Sequence, residues 1–377
     1  MLNTLTKASS QWASRPADER FVSLHEMGAK LRWQRENARA VTVSSRKLEL
    51  KPTEDNKGLL LYGPNGHGYA PTHWAFGQLA QRAEAPAGYL RTLPAPIVAD
   101  CVNYGLQFKR DIEDVGILLQ RPFQADGFSE GSIVEPTPVV RAATGPRYGR
   151  IWNTEITDSL IKHFGNGVDG DFRVPGTFGH ALESVTKENT TLYAGDRDMF
   201  VFLADEEHRI EIPNRRNGET GTLARGFFVW NSEVGSSTFG VATFLFDYVC
   251  CNRIVWGAAE YDEVRIRHTA SAPDKFLSEI TPALKSYANS STAKITENIE
   301  AARAARVDNV DDFLAKRFGA RTVASLKAVH ELEEGRPIET LWDVATAVTA
   351  KAKSITWQDE RVAMEREAGK VLDLVAA

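Results

Sequence analysis

Cysteine is scarce in this sequence, which has three in 377 residues: Cys101, Cys250 and Cys251. A disulfide framework needs several cysteine pairs, and two adjacent cysteines bridge each other only with strained geometry, so no disulfide scaffold is predicted. If the adjacent pair lies in a strand, one thiol points inward and the other outward. We therefore expect a chain that folds around a hydrophobic core in a reducing cytoplasm.

Long apolar runs are also missing. The longest apolar stretch, residues 241–259, is interrupted by Asp247, Asn252 and Arg253. A membrane-spanning helix needs about 20 predominantly apolar residues, and a secretory signal needs an apolar segment that residues 1–20 do not contain. We expect a protein that neither crosses a membrane nor is secreted.

The sequence has no large excess of either charge. It contains 45 Lys and Arg against 50 Asp and Glu, a net charge of −5. Proteins that coat nucleic acid with their whole surface are strongly basic, so any nucleic-acid binding here would need a local basic face. Hydrophobic residues at 42% and charged residues at 25% are typical of globular proteins and exclude a largely disordered chain.

Residues 63–72 form a glycine-rich stretch without the marks of a phosphate-binding loop. Such a loop needs a Lys and then a Ser or Thr after the last glycine, whereas Tyr69 and Ala70 follow Gly68. The histidines are scattered and lack partners at metal-ligand spacing. We predict no cofactor, no metal and no catalytic site, hence a protein that is not an enzyme. An unrecognised enzyme such as a nuclease remains an alternative, because carboxylates can converge through the fold alone.

The hydrophobic periodicity predicts an α+β fold with a central antiparallel sheet, packed helices and a helical C-terminal region. Apolar residues at helical spacing predict a helix over 21–40, and Thr72 is expected to cap a helix over about 73–84. Alternating and aromatic-rich segments predict strands between residues 198 and 269. Composition divides the chain into a mobile arm (1–20), an N-terminal α+β region (21–121), a loop or linker (122–147), a β-rich core region (148–272) and a helical region (273–377).

Basic and aromatic residues recur together in and before the β-rich region. Arg215 and Arg216 fall in a glycine-containing turn, from which side chains are expected to project into solvent. Arg265 and Arg267 alternate along a short strand and so share one face. Cations that neutralise phosphates and rings that stack on bases are the means by which single-strand binders hold DNA. The candidate set is Arg147, Tyr148, Arg150, Arg215, Arg216, Arg225, Arg265 and Arg267.

An alternative reading takes these arginines as the solvated edges of strands. Residues 197–267 contain eight Arg and eleven Asp or Glu, so no uniform positive field covers this region. Most of the aromatic run after Arg225 is expected to lie in the core. The local turn Asn-Ser-Glu-Val-Gly, residues 231–235, is explained by a bend between two strands as well as by binding.

Several stretches resemble the phage/plasmid-like proteins of the domain-of-unknown-function 932 (DUF932) family. They are residues 69–94, 98–106, 198–205, 226–257 and 264–269, and the resemblance is taken to cover roughly residues 20–305. The Asn-Ser-Glu-Val-Gly turn, the Cys-Asn-Arg step and the Arg-His-Thr strand are the most specific parts. The resemblance implies a context of mobile DNA, in phages and in the transfer regions of conjugative plasmids.

The favoured function is therefore non-enzymatic binding or annealing of single-stranded DNA in recombination. The order of several strands and then a long helix, residues 198–305, is similar to that of phage single-strand annealing proteins, at the level of fold analogy only. Those proteins form rings, so the analogy implies a homo-oligomer, with the C-terminal helices as a contact. The alternative is a factor that counters a host defence or replication protein through protein–protein contact.

Overall fold

Two β-sheets and several layers of helices make up the part of the chain that can be described. The computed structural model describes residues 15–108, 113–121, 138–174, 185–188, 190–248, 252–256, 264–355 and 358–375. Cys250 and Cys251 lie outside these residues, while the thiol of Cys101 is exposed.

The smaller sheet has six strands in the order β2–β6–β7–β5–β4–β3. Its neighbours are antiparallel except for the parallel pair of β5 and β7. Helices α2, α3 and α4 cover one face, where Leu79, Val102 and Val115 are fully buried. The elements are β2 (Ala38–Ser44), β3 (Glu49–Pro52), β4 (Leu59–Tyr62), β5 (Gly68–Pro71), α2 (His73–Arg82), α3 (Ala87–Leu90), α4 (Ala95–Phe108), β6 (Asp114–Gln120) and β7 (Val139–Thr144).

Nine strands form the larger sheet, in which β12 lies between β10 and β13. The three run antiparallel, and their in-register pairs such as Phe202 with Phe228 align aromatic side chains on the same face. Its strands are β1 (Arg20–Phe21), β8 (Phe172–Arg173), β9 (Leu192–Ala194), β10 (Met199–Asp205), β11 (Ile210–Ile212), β12 (Gly221–Asn231), β13 (Phe239–Asp247), β14 (Asn252–Ile254) and β15 (Val264–Ile266).

Helices cover one face of the larger sheet and form the main core. All seven residues of β10 are buried, which explains its continuous apolar sequence, because a strand buried on both faces has no polar side. Leu203, Phe227 and Phe276 meet in this core. The covering helices are α1 (Leu24–Glu36), α5 (Asn153–Phe164), α6 (Ala272–Lys275), a π-helical segment (Phe276–Ile280) that continues it, and α7 (Thr281–Ala288).

The C-terminal helices pack on the far end of the larger sheet. Helix α11 is buried around almost its whole circumference, and its Trp342 belongs to one apolar cluster with Leu223 and Leu245 of the sheet. None of the described helices is long and apolar enough to cross a membrane. The helices are α8 (Ala293–Ala304), α9 (Val310–Phe318), α10 (Val323–Glu334), α11 (Leu341–Ala352) and α12 (Gln358–Leu372).

The α+β fold predicted from the sequence is confirmed, and so is the cap of α2. The Thr72 hydroxyl accepts a hydrogen bond of 3.2 Å from the backbone N–H of Ala75. Capping by a Thr side chain stabilises a helix by about 1 kcal/mol. Local sequence signals of this kind work because both partners lie within one helical turn.

Two segments differ from the prediction. Residues 139–144, placed in a loop or linker, form β7 inside the smaller sheet, and residues 122–137 lie outside the described part. Because this strand is almost wholly buried, it lacks the alternation that predicts a strand. The arm over 1–20 was expected to be mobile, yet the Arg15 guanidinium is buried and paired with Asp198. Residues 1–14 are not described.

Helices α2 and α4 approach closely at Gly105. A Cβ atom at this position would lie 2.5 Å from the carbonyl oxygen of Ala83 and 2.6 Å from its Cα. Both contacts are with backbone, which cannot rotate away. The absence of a side chain at Gly105 is therefore what allows α4 to pack at this distance.

We expect Gly105→Ala to lower the free energy of unfolding by about 1–3 kcal/mol, because the added methyl group forces the helices apart. Gly88→Ala is the matched control, since nothing lies within 4 Å of a Cβ at Gly88 in α3. There alanine is expected to be neutral or stabilising by up to about 1 kcal/mol. Urea unfolding measures both, and equal stabilities would contradict the close approach.

Candidate nucleic-acid interface

The turn that follows β12, residues 231–235, is hydrogen-bonded to β7 of the smaller sheet, to helix α2 and to the segment before α5, and we call it the junction turn. Asn231 Nδ2 donates to the carbonyl oxygen of Ile151 at 2.9 Å. The Val234 carbonyl accepts from Trp74 Nε1 at 3.0 Å and from Gln78 Nε2 at 2.7 Å. Gly235 has φ of 82°, which a glycine adopts without strain. The most specific part of the family resemblance thus has a structural role.

Glu233 is the charged centre of the junction turn. Its carboxylate is buried and accepts from Arg141 Nη1 at 2.9 Å and from the backbone N–H of Asn153 at 2.8 Å. Asn153 begins α5, where the helix dipole also favours a negative charge. Arg150 Nε donates to the Glu233 carbonyl oxygen at 2.8 Å. The carboxylate is therefore compensated by fixed groups.

Aromatic rings and guanidinium groups lie over the junction turn. The Tyr148 hydroxyl donates to the Ser232 carbonyl at 2.7 Å, and burial raises the pKa of this phenol. The guanidinium of Arg150 lies 5.4 Å from the ring centres of both Tyr148 and Trp152. Arg35 stacks on Trp152 at 3.8 Å. Guanidinium groups held against rings in this way keep their charge at the surface.

His268 joins this group from the end of β15. Its ring stacks on Tyr148 with centres 4.8 Å apart, and its Nδ1 donates to the Gly149 carbonyl at 3.0 Å. Burial lowers the pKa of His268, so the ring is neutral at neutral pH. A Cβ at Gly149 would lie 1.8 Å from the Thr269 carbonyl oxygen, so the two backbones meet only because residue 149 is glycine.

The fold thus brings together two basic segments that are far apart in the sequence. Arg147, Arg265 and Arg267 are exposed, whereas Tyr148 and Arg150 are half-buried. Arg265 lies 5.7 Å from the ring of Trp230. Ile266 is in the main core, so alternation directs its two arginine neighbours to the other side of β15. Ring contacts connect Arg35, Tyr148, Arg150, Trp152 and His268, and together with the exposed arginines of the same two segments they are called the junction surface: Arg35, Arg147, Tyr148, Arg150, Trp152, Arg265, Arg267 and His268.

Arg35, Trp152 and His268 were missing from the set predicted from the sequence. Arg35 lies on α1, more than a hundred residues before Trp152, and no local pattern connects them. Trp152 belongs to the same basic and aromatic cluster in the sequence as Arg147, Tyr148 and Arg150, but it was left out of the candidate set. His268 was read as isolated because its partner Tyr148 comes from another segment.

Arg215 was expected to project into solvent, and this is wrong. It is 1% exposed, with Nη2 2.7 Å from Asp247 Oδ2 and Nε 3.1 Å from Glu334 Oε1. Helix α10 covers the turn and supplies Glu334 from 119 residues away. Burial alone raises the pKa of Glu334, but the hydrogen bonds and charge of Arg215 outweigh it and the net shift is downward. Arg216, the next residue, is exposed.

Arg225 is also buried rather than part of a surface. Its Nε donates to Asp205 Oδ2 at 2.9 Å, and its Nη1 donates to the carbonyl oxygens of Tyr287 at 3.2 Å and Ser290 at 2.6 Å. These carbonyls end α7, where a cation is favoured by the helix dipole. The aromatic residues that follow Arg225 lie in the cores, as expected from the sequence.

Within the described ranges, no three His, Cys, Asp or Glu side chains are grouped as a metal site. The expectation that the sequence lacks catalytic patterns overlooked residues 127–131, which read Gly-Phe-Ser-Glu-Gly, the form of a hydrolase nucleophile elbow. An elbow needs a strand before it and a helix after it, and these residues lie outside the described part.

Comparison with known proteins gives one family. Residues 180–367 match the family model described as Domain of unknown function (DUF932). The match includes the junction turn and β15 and extends through most of the C-terminal helices, whereas the smaller sheet lies before it. No curated protein and no solved structure matches the chain. The phage or plasmid context suggested by the sequence remains a prediction.

We expect Arg215→Ala to destabilise the fold by about 3–5 kcal/mol, because it leaves the carboxylates of Asp247 and Glu334 buried without their cation. Arg216→Ala is the matched control and should change stability by less than about 0.5 kcal/mol. Urea unfolding followed by circular dichroism measures both. Similar stabilities for the two variants would show that Arg215 is not the buried partner described.

Proposed function

The chain belongs to the DUF932 family, whose description names no activity, and we propose from its geometry that it binds single-stranded DNA without cleaving it. The binding site is the junction surface. The observation that carries the proposal is the ring cluster of Tyr148, Trp152 and His268 with guanidinium groups against it. Rings that stack on bases and arginines that follow the phosphates are the combination used by single-strand binders.

The charge balance of the junction surface supports an anionic polymer as ligand, although the whole chain is acidic. Glu233 below it is already neutralised by Arg141. Arg147 and Arg267 make no ion pair with any residue in the described ranges, so their charges are available to phosphates. Glu155, exposed in the first turn of α5, is the carboxylate near Arg35. These charges support a local basic face within a chain of net charge −5.

Single strands fit this surface better than a duplex does. In a duplex the bases stack on one another and present only their edges, so flat side chains have little to stack on. In a single strand each base has a free face. A role in annealing or recombination is the biological setting in which such binding is used.

We expect fluorescence anisotropy to show tighter binding of a labelled single-stranded oligonucleotide than of its duplex, with affinity falling as salt rises from 50 to 200 mM. Replacing both Arg147 and Arg267 by Ala should weaken binding roughly tenfold and lower the salt slope by about 1.4, since each lost phosphate contact removes about 0.7 for a single strand. Arg216→Ala is the control, because this arginine is exposed elsewhere.

Three outcomes would count against the proposal in different ways. Absence of binding at micromolar protein and low salt contradicts single-strand binding itself. Binding that the double variant leaves unchanged contradicts the junction surface as its site. Cleavage of the oligonucleotide in the presence of Mg²⁺ favours the nuclease alternative.

A second candidate function, protein–protein contact, is favoured by an apolar stripe on α4. Ile97, Tyr104 and Phe108 are 49%, 68% and 70% exposed, and the last two rings are 5.7 Å apart. With Cys101 they follow helical spacing along one side. In an antiparallel pair of two copies, Ile97 faces Phe108 and Cys101 faces Tyr104 of the second copy. The stripe is therefore complementary to itself, as a two-fold contact requires.

We expect Tyr104→Cys to form a covalent dimer on oxidation, through a disulfide between Cys101 of one copy and the new thiol of the other. Mass spectrometry of the linked peptides identifies the bond and separates it from products of the other cysteines. Tyr89→Cys is the control, since Tyr89 is 62% exposed on α3 and outside the stripe. If the stripe instead contacts a different protein, no peptide linked through Cys101 and residue 104 is expected.

A further inference from the structure

A cleft of about 300 Å³ lies on the helical side of the smaller sheet, and its lining shares no residue with the junction surface. The turn between β3 and β4, the start of α2, helix α3 and the start of α4 surround it. Its lining includes three basic side chains, those of Lys57, His73 and Arg91, and no carboxylate. The rest of its wall is mostly apolar and includes Phe76 and Leu93. Its volume is at the lower end of that of ligand pockets.

Arg91 is held in place by groups that leave its charge uncompensated. Its Nη2 donates to the His73 carbonyl at 2.9 Å, and its guanidinium lies 5.2 Å from the centre of the Phe76 ring. It forms no ion pair with the residues that the structure describes. A guanidinium has five N–H donors, so most of them remain for a ligand.

His73 adds a second polar group at the same wall. Burial lowers its pKa, and the nearby charges of Arg91 and Arg197 lower it further, while Asp196 acts in the opposite direction. The imidazole is neutral at neutral pH and can donate one hydrogen bond. Lys57 is exposed in the turn opposite and brings an ammonium group to the rim.

We propose that this cleft binds a small organic anion with a flat apolar body. The phosphate or carboxylate head lies against Arg91, His73 and Lys57, and the body lies against Phe76 and Leu93. A bare inorganic anion would leave the apolar wall uncovered, and a neutral aromatic would leave the cations without a partner. The site therefore requires both parts in one molecule.

Ligand-observed NMR and calorimetry on the full chain test this with phenyl phosphate, benzoate, inorganic phosphate and phenol. Phenyl phosphate or benzoate should bind with a Kd of about 1 mM, as expected for a ligand of this size. Inorganic phosphate and phenol should bind at least about tenfold more weakly. The preference between the first two probes decides whether the head is a phosphate or a carboxylate.

Arg91→Leu should weaken binding of the preferred probe at least about tenfold, since a hydrogen bond to a charged group is lost. Lys57→Ala tests the opposite rim without touching the core, and a threefold or larger loss is expected. Arg46→Leu, an exposed arginine of the same region outside the cleft, should bind as the parent does. Equal affinity in Arg91→Leu and Arg46→Leu, or no binding of any probe at 10 mM, overturns the proposal.

Discussion

The buried carboxylate of Glu233 connects the larger sheet to the smaller one through an ion pair. It belongs to the turn at the end of the larger sheet, while its partner Arg141 lies in β7 of the smaller sheet and its second donor begins α5. Burying two charges is costly, and further hydrogen bonds offset this: Glu233 also accepts from the backbone N–H of Asn153, and Arg141 Nη2 also donates to the Asp196 carbonyl oxygen at 2.9 Å. The stacked rings over the turn depend on the same contact, because Arg150 and Tyr148 bond to the backbone of residues 232–233.

Arginine serves in two different ways in this protein. Arg141, Arg215 and Arg225 are buried and connect elements that are distant in the sequence, each through a carboxylate. Arginines of the second kind remain at the surface, where rings or solvent surround them. A count of charges along the sequence cannot separate these two uses. It treats the carboxylates that pair with the buried arginines as free negative charges, although these carboxylates are already neutralised.

Local patterns predicted the elements well, and the site less well. The cap at Thr72 and helix α1 rest on residues within one or two turns, so their sequence signal is complete. The prediction that Arg215 is exposed was wrong because Glu334, from a helix distant in the sequence, covers it. Strand β7 was missed because it is almost wholly buried and so has no alternation of apolar and polar residues. The family resemblance was assigned to residues 20–305, whereas the family model matches residues 180–367. The helices after residue 305 therefore also resemble the family, which was not recognised from the sequence.

The contact between Gly149 and His268 has a consequence for folding. It joins residues 119 positions apart, so it closes a loop whose entropic cost is roughly 4 kcal/mol. Contacts of such long range form after local helices and hairpins do. The stacked pair of Tyr148 and His268 therefore exists only once the larger sheet is complete, and partly folded chains lack it.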